Sequence, residues 1–231
     1  FCSIWSLFLT DPLEKTLFVS RDRTGVKPLY YFIDAAYLCF ASEPKALLSL
    51  PFIHREVDTE ALAAYFMLDR IDFDGKTLYS QIKELQPAHS FTYDLNTHQF
   101  SIEKYYSLNF NKSFGKFNNY TAQGYITETR NHLFDSVEKR LRSDIPVGFC
   151  LSGGIDSTAI VSMARELLMQ GKAGSLPDGQ IIAFTAVNDD KITDERAWAE
   201  KVVQKSGIKW VKTTCEDRKS TRLNSSHRIR S

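Results

Sequence analysis

The sequence predicts two parts: an α+β part built on an antiparallel sheet, followed by an α/β part with a doubly wound parallel sheet. Short aromatic and β-branched runs joined by turn residues dominate the first hundred residues. After residue 120 the pattern changes to alternating helices and strands, which is typical of parallel sheets. A polar stretch at residues 108–120 is predicted to be a linker between a first domain at 1–107 and a second at 121–216.

The elements of the first domain follow from hydrophobic pattern and turn chemistry. The apolar start of the chain is interpreted as a strand. Asp58 is a good N-cap for a helix in which Ala61, Leu62, Tyr65, Phe66 and Leu68 recur at helical spacing. Further strands are predicted at residues 16–20, 29–33, 37–41, 91–93 and 102–106.

The second domain is predicted to alternate regularly between helix and strand. Its predicted helices are residues 121–142, 157–170 and 194–206, and its predicted strands are 145–151, 180–187 and 209–214. Asp194 and Glu195 open the last helix, where acidic residues are favoured electrostatically; a catalytic role for them is the weaker interpretation.

Composition excludes several classes of protein. Hydrophobic residues make up 43% and charged residues 25% of the chain, as in an ordinary globular protein. No apolar run approaches the ~20 residues that span a bilayer, so we expect no membrane association. The histidines and the four scattered cysteines lack metal-ligand spacing, and we interpret the cysteines as free thiols in the cytoplasm: Cys2, Cys39, Cys150 and Cys215.

The last fifteen residues, 217–231, differ from the rest of the chain. They contain five basic residues and one acidic residue, no aromatic residue and no periodicity, so we expect no fold there. One interpretation is a basic arm for nucleic acid. The segment also resembles a translated sequencing adapter, and we therefore interpret it as non-native and expect no nucleic-acid partner.

Charged residues cluster in the first domain. They are Arg21, Asp22, Lys27, Glu43 and Lys45. Such groups in turns commonly form ion pairs that fix loop geometry, and we favour this structural role over a catalytic one.

The most informative segment is the hexapeptide Ser-Gly-Gly-Ile-Asp-Ser at residues 152–157, which joins an apolar strand to a helix. Gly153 and Gly154 can turn backbone N–H groups toward one point, and the helix N-terminus adds its own unpaired N–H groups. The hydroxyls of Ser152 and Ser157 can donate to phosphate oxygens. Asp156 would repel a phosphate by itself, so its predicted partner is Mg²⁺.

Other phosphate and nucleophile motifs fit this loop less well. The P-loop lysine, the Gly-x-Gly-x-x-Gly fingerprint and the Gly-x-Ser-x-Gly elbow are all absent from the segment. The remaining alternative is a purely structural glycine turn, with Ser and Asp capping the helix.

The hexapeptide resembles the Ser-Gly-Gly-x-Asp-Ser loop of the N-type ATP pyrophosphatases, which adenylate a substrate and release pyrophosphate. Residues 20–31 and 40–48 resemble the later part of the class II glutaminase domain of asparagine synthetases, and residues 77–79 and 85–89 resemble that family's next landmark. The resemblance covers about residues 3–215. It implies an N-terminal-nucleophile (Ntn) type glutaminase fold, followed by an adenine nucleotide α-hydrolase-like domain.

The resemblance also implies an activity: ATP- and glutamine-dependent conversion of aspartate to asparagine through an acyl-adenylate, with release of AMP and pyrophosphate. ATP, Mg²⁺, glutamine and aspartate are the implied ligands, and a homodimer is one implied assembly. Leu151, Ala186 and Val187 would contact adenosine; Ser152, Gly153, Gly154 and Ser157 would hold the pyrophosphate, with Asp156 on Mg²⁺. A related amidotransferase or cyclase acting on another carboxylate, or an inactive remnant, remains an alternative.

Some residues depart from the family pattern. Cys2 lies in what aligns as an internal strand, so we do not expect it to be the family's N-terminal nucleophile. The glutamine-binding segments would precede residue 1 and the second phosphate loop would follow residue 216, so the chain itself is expected to lack glutaminase activity. Gln86 and Ala88 stand where many relatives have Pro and Gly.

Overall fold

A computed structural model describes residues 4–71, 74–110, 113, 116–172, 180–187 and 194–214 of the chain. The chain divides into two compact units, Phe1–Phe114 and Gly115–Ser231. No helix within the described ranges is long and apolar enough to cross a membrane.

The first unit contains two antiparallel sheets. One has the order β1-β2-β6-β7, and the other, β4-β3-β5, is adjoined by the short helix at Pro44–Leu47. The elements are β1 (Ser6–Asp11), β2 (Thr16–Arg21), β3 (Tyr30–Ile33), β4 (Leu38–Ala41), α1 (Pro44–Leu47), α2 (Thr59–Leu68), β5 (Lys83–Glu84), β6 (His89–Asp94) and β7 (Phe100–Lys104). The predicted antiparallel character is therefore confirmed.

Apolar side chains from both sheets pack together in one of two core clusters in this unit. Val19 of β2 and Phe91 of β6 are completely buried and pack with Tyr31 of β3. These aromatic and β-branched side chains explain why the short strands were recognisable from sequence. Asp58 caps α2 as predicted, since its carboxylate accepts hydrogen bonds from the N–H groups of Glu60 and Ala61 at 3.0 and 2.9 Å.

The turn after β2 is held from both sides by buried charges. Arg21 forms an ion pair of 2.7 Å with Glu84 and donates to the carbonyls of Lys27 and Gly25 at 2.8 and 3.0 Å. Asp22, 1% exposed, accepts hydrogen bonds from the backbone N–H groups that follow it. The structural interpretation of Arg21 is thus confirmed, although its partner lies 63 residues away and outside the cluster recognised from sequence.

The second unit contains a three-stranded parallel sheet of order β10-β9-β8. Its elements are α3 (Asn119–Arg140), β8 (Gly148–Cys150), α4 (Ile155–Met169), β9 (Ile182–Val187), α5 (Arg196–Ser206) and β10 (Lys209–Thr214). Most element bounds differ from the prediction by a few residues, and α5 begins at Arg196, after Asp194 and Glu195, which were predicted to open it. Helix α3 begins at Asn119, inside the predicted linker, and α4 begins at Ile155 instead of residue 157.

Helices α4 and α5 pack on one face of this sheet. Val161 of α4 and Ala199 of α5 are fully buried against Ala183 of β9. On the other face Phe184 is 41% exposed, and Ala186 is exposed beside it. The parallel sheet is therefore present, whereas a doubly wound arrangement, with helices on both faces, stays a prediction.

Candidate pyrophosphate-binding loop

The end of β8 is fixed by hydrogen bonds to β9. The Leu151 N–H donates to the Phe184 carbonyl at 2.8 Å, and the Leu151 carbonyl accepts from the Thr185 hydroxyl at 2.6 Å. The Thr185 oxygen in turn accepts from the Trp210 indole N–H of β10 at 2.9 Å. These bonds join all three strands at the point where the loop begins.

Gly153 occupies a position that no other residue can take without strain. Its φ of +83° is in the left-handed region. A Cβ placed there would lie 2.5 Å from the Cβ of Trp198 and 2.9 Å from the backbone nitrogen of Ala199. The loop therefore packs directly on the first turn of α5, and only glycine permits this approach.

Gly154 is the N-cap of α4, with no side-chain hydrogen bond capping the helix. The first helical hydrogen bond runs from the Thr158 N–H to the Gly154 carbonyl, at 3.1 Å. The N–H groups of the three residues between them precede that bond and have no partner within the helix. They lie at the positive end of the helix dipole, which favours an anion.

Two serine hydroxyls brace the loop from inside. The Ser152 and Ser157 oxygens are 3.0 Å apart, and the Ser157 oxygen also accepts from the Ser152 N–H at 3.3 Å. The Ser152 oxygen accepts from the Gly154 N–H at 3.3 Å. The two hydroxyls predicted from sequence to meet at one site are thus brought together, with Ser152 exposed and Ser157 half-buried.

Asp156 stands in the first turn of α4 and is exposed. Within the described ranges its carboxylate makes no hydrogen bond or ion pair with the protein. It therefore does not cap the helix, which was the structural alternative for this residue. A carboxylate in this position has both oxygens available to a cation.

Ala186 and Val187 were predicted to contact adenosine. Pairing between β8 and β9 ends at Cys150 and Phe184, so both residues lie in the part of β9 that extends beyond β8. Ala186 is exposed and Val187 is buried. Leu151 is 1% exposed, and its N–H is already bonded to β9, so any contact with adenosine through its backbone would use the second lone pair of its carbonyl, which also accepts from Thr185.

Sequence reasoning missed three residues that position this loop. They are distant from the loop in sequence and belong to no short motif. Trp198 lies against Gly153, Thr185 bonds to Leu151 just before the loop, and Trp210 bonds to Thr185. The only sequence signal was a polar Thr185 in an otherwise apolar strand.

The side chains near Asp156 limit how the protein could bind a metal ion. Among the described residues no group of three or more His, Cys, Asp or Glu side chains could hold an ion. Mg²⁺ commonly uses one or two carboxylates together with phosphates and water, so a single exposed carboxylate beside a candidate phosphate site fits this ion.

Comparison with known proteins matches both units. The family model for the glutamine amidotransferase domain matches residues 1–106, and that for asparagine synthase matches residues 128–224. The second match extends into the segment 217–231, whose structure lies outside the described residues.

Three relatives illustrate the similarity. Asparagine synthetase (glutamine-hydrolyzing) 3 of Bacillus subtilis is 31% identical over 209 residues, which is 88% of this chain and 33% of the relative. Asparagine synthetase (glutamine-hydrolyzing) 1 of the same organism is 35% identical over 163 residues, 71% of this chain and 24% of the relative. Amidase chry2 of Gibberella zeae is 27% identical over 210 residues, 88% of this chain and 30% of the relative.

An antiparallel glutamine amidotransferase unit followed by a parallel-sheet unit with a Ser-Gly-Gly-Ile-Asp-Ser loop defines a glutamine amidotransferase joined to a synthetase domain. The chain belongs to the glutamine-hydrolysing asparagine synthetase family. It spans about a third or less of the length of these curated relatives.

Proposed function

We propose that this chain belongs to an ATP-dependent ligase that forms an amide, using glutamine as nitrogen donor and aspartate as acceptor. The observation that carries the proposal is the loop at residues 152–157, which places N–H groups and two hydroxyls at the carboxyl end of a parallel strand. Ligands of open α/β sheets bind in this position. The loop is suited to the pyrophosphate portion of ATP.

Each loop residue has a part in this proposal. Gly153 lets the loop lie against α5, and the N–H groups at the start of α4 face the β- and γ-phosphates. Ser152 and Ser157 donate hydroxyl hydrogen bonds when a phosphate replaces their mutual contact of 3.0 Å. Ala186 and Val187 border adenosine, together with the Leu151 carbonyl.

Asp156 is proposed as the protein ligand of Mg²⁺. Its carboxylate is exposed and unpaired within the described ranges, and alone it would repel phosphate. When bound, Mg²⁺ would neutralise charge on the phosphates and favour departure of pyrophosphate. The acceptor carboxylate would then be activated as an acyl-adenylate, which ammonia from glutamine attacks.

A second candidate is amide chemistry on another acceptor. The similarity to amidase chry2 of Gibberella zeae, over 88% of this chain, supports this second candidate. Both candidates require the same loop and the same Mg²⁺ ligand, and they differ in the carboxylate that stimulates exchange of pyrophosphate into ATP.

The test is pyrophosphate binding by the 231-residue chain, measured by calorimetry with and without Mg²⁺. We expect Mg²⁺ to strengthen binding to the wild-type chain. Asp156→Asn keeps the size of the side chain but removes the charge, so the gain from Mg²⁺ should fall by at least about tenfold. In a longer protein that contains this chain, ATP–pyrophosphate exchange should fall by at least about 100-fold.

Asp144→Asn is the matched control, since Asp144 is an exposed aspartate in the same unit outside the loop. This variant should bind Mg²⁺ and pyrophosphate as the wild-type chain does. Equal Mg²⁺ dependence in Asp156→Asn and Asp144→Asn would remove Asp156 as the metal ligand. Absence of pyrophosphate binding in the wild-type chain would count against the loop itself.

A further inference from the structure

A cavity lined by polar and apolar groups lies between α4 and α5, on residues outside the loop. Its volume is about 500 Å³, within the ~300–1,000 Å³ of small-molecule sites. It is lined by Thr158, Ser162, Arg165, Lys201, Val202, Lys205 and Ser206. We call it the α4–α5 groove. None of its lining residues belongs to the segment 152–157.

The α4–α5 groove is positively charged. Arg165, Lys201 and Lys205 contribute three cations, and no acidic residue is among the lining residues. Within the described part of the chain none of the three has a carboxylate partner: Arg165 donates to the Met169 sulfur at 3.4 Å, and Lys201 lies over the Trp198 ring at 4.4 Å. Three converging like charges repel one another, and a bound anion would relieve that repulsion.

Hydroxyl groups accompany these cations. The Thr158 hydroxyl oxygen is buried and has no hydrogen-bond partner among the described residues. Ser206 is buried and donates its hydroxyl hydrogen to the Val203 carbonyl at 3.3 Å, so it is not a donor for a ligand. Ser162 is exposed on the same wall. A ligand with several acceptor oxygens could use the hydroxyls of Ser162 and Thr158 together with the cations.

We propose that the α4–α5 groove binds a small polyphosphate anion, at a site distinct from the loop of the proposed function. An arginine with two lysines suits phosphate oxygens, since the guanidinium can donate two parallel hydrogen bonds and the lysines supply point charges. The cavity volume corresponds to a small molecule with a few phosphate groups.

The competing explanation is electrostatic support of a helix end. Lys205 lies in the last turn of α5, where a positive charge stabilises the helix without any ligand. In that case, neutralising the cations would lower stability but would not change anion binding. The two explanations therefore separate by measuring binding and thermal unfolding on the same variants.

The probe is inorganic triphosphate, titrated without Mg²⁺ into the 231-residue chain carrying Ser152→Ala and Ser157→Ala. This background weakens the loop site, so that the remaining binding reports the groove. Adding Arg165→Gln and Lys205→Gln should weaken that binding by at least about tenfold. Adding Lys172→Gln, an exposed lysine outside the groove, should change it less than about twofold.

Charge-conserving variants distinguish a loss of charge from a folding defect. Arg165→Lys with Lys205→Arg should retain binding within about threefold, and rising salt should weaken it, because the contact is ionic. Equal triphosphate affinity in the glutamine variant and Lys172→Gln would overturn the proposal, as would loss of all binding in the Ser152→Ala, Ser157→Ala background. Either result leaves the loop proposal to its own test with Mg²⁺ and pyrophosphate.

Discussion

The hydroxyl of Thr185 donates a 2.6 Å hydrogen bond to the carbonyl oxygen of Leu151 at the point where β8 gives way to the loop. The same hydroxyl accepts from the Trp210 indole N–H at 2.9 Å, so both of its roles are filled by protein. Because Thr185 is only 2% exposed, solvent has little access to compete for these bonds. The loop therefore starts from a carbonyl whose position is fixed by two neighbouring strands.

Thr185→Val should remove the hydrogen bonds that fix the Leu151 carbonyl while keeping the shape of the side chain. The Leu151 carbonyl and the Trp210 N–H each lose a buried partner, so the second unit should lose about 1–3 kcal/mol of unfolding free energy. Pyrophosphate affinity should fall by roughly fivefold or more if the loop moves with the carbonyl. Calorimetry and thermal unfolding measure the two effects.

Thr185→Ser is the control for that variant, because it keeps the hydroxyl and removes only a methyl group. It should restore pyrophosphate affinity even where it does not restore full stability. If Thr185→Ser binds as weakly as Thr185→Val, packing and not the hydrogen bonds controls the loop.

Alanine substitutions at the two loop glycines should have very different effects on stability. Gly153→Ala combines a φ of +83° with a Cβ 2.5 Å from Trp198 Cβ, so it should cost more than about 2 kcal/mol of stability in the second unit. Gly154→Ala has a φ of −68°, and its nearest contact is the Ser152 oxygen at 3.4 Å. It should cost less than about 1 kcal/mol. Denaturation followed by fluorescence of Trp198 and Trp210 tests both, and equal losses would contradict this assignment.

Local chemistry explains which features could be predicted from sequence. The Asp58 cap, the aromatic and β-branched strands around Val19 and Phe91, and the strand–loop–helix at residues 152–157 depend on residues near one another in the chain. They were therefore recognisable without a structure.

Features that depend on distant contacts could not be predicted in the same way. Glu84 pairs with Arg21 from 63 positions away, and Trp198 reaches the loop only because α5 folds back onto it. The short elements α1 and β5, of four and two residues, have too few residues for a periodic signal. The start of α4 was misplaced because Gly154 caps the helix without a side chain.

Two equally buried alanines should respond differently to glycine. Ala88 is 4% exposed with a φ of +62°, and Ala61 is 3% exposed within α2. Ala88→Gly relieves left-handed strain of ~1–2 kcal/mol while losing a methyl group and gaining unfolded-state entropy, so its net effect should be within about 0.5 kcal/mol of zero.

Ala61→Gly offers no such relief. It should cost about 1.5–2 kcal/mol from helix propensity and lost burial. Urea unfolding of the first unit, followed by amide exchange in β2 and β6, measures both variants. Similar losses at the two positions would mean that the backbone strain at Ala88 is negligible.

Asp22 should make the first unit sensitive to acid. Burial alone would raise the pKa of its carboxyl, but hydrogen bonds from the N–H groups of Lys27, Val26 and Thr24 and from the Thr24 hydroxyl outweigh that effect and hold the pKa below its usual value. The folded unit therefore binds the Asp22 proton less readily than the unfolded chain, whose aspartates titrate near ~3.9. The stability from this carboxylate is present above that pH and is lost as the pH falls through the lower folded pKa.

Asp22→Asn should reduce this acid sensitivity and lower stability at neutral pH. The amide keeps one acceptor oxygen but presents a donor to one of the N–H groups that the carboxylate accepts, so we expect a loss of about 1–3 kcal/mol at pH 7. Between about pH 4 and pH 2 its unfolding free energy should fall less steeply than that of the wild-type chain. Glu14→Gln, at an exposed carboxylate in the turn between β1 and β2, should follow the wild-type curve. Urea unfolding at a series of pH values, followed by the amide signals of β2, measures all three proteins. An Asp22→Asn curve parallel to wild type over this range would show that the acid response arises at other carboxylates.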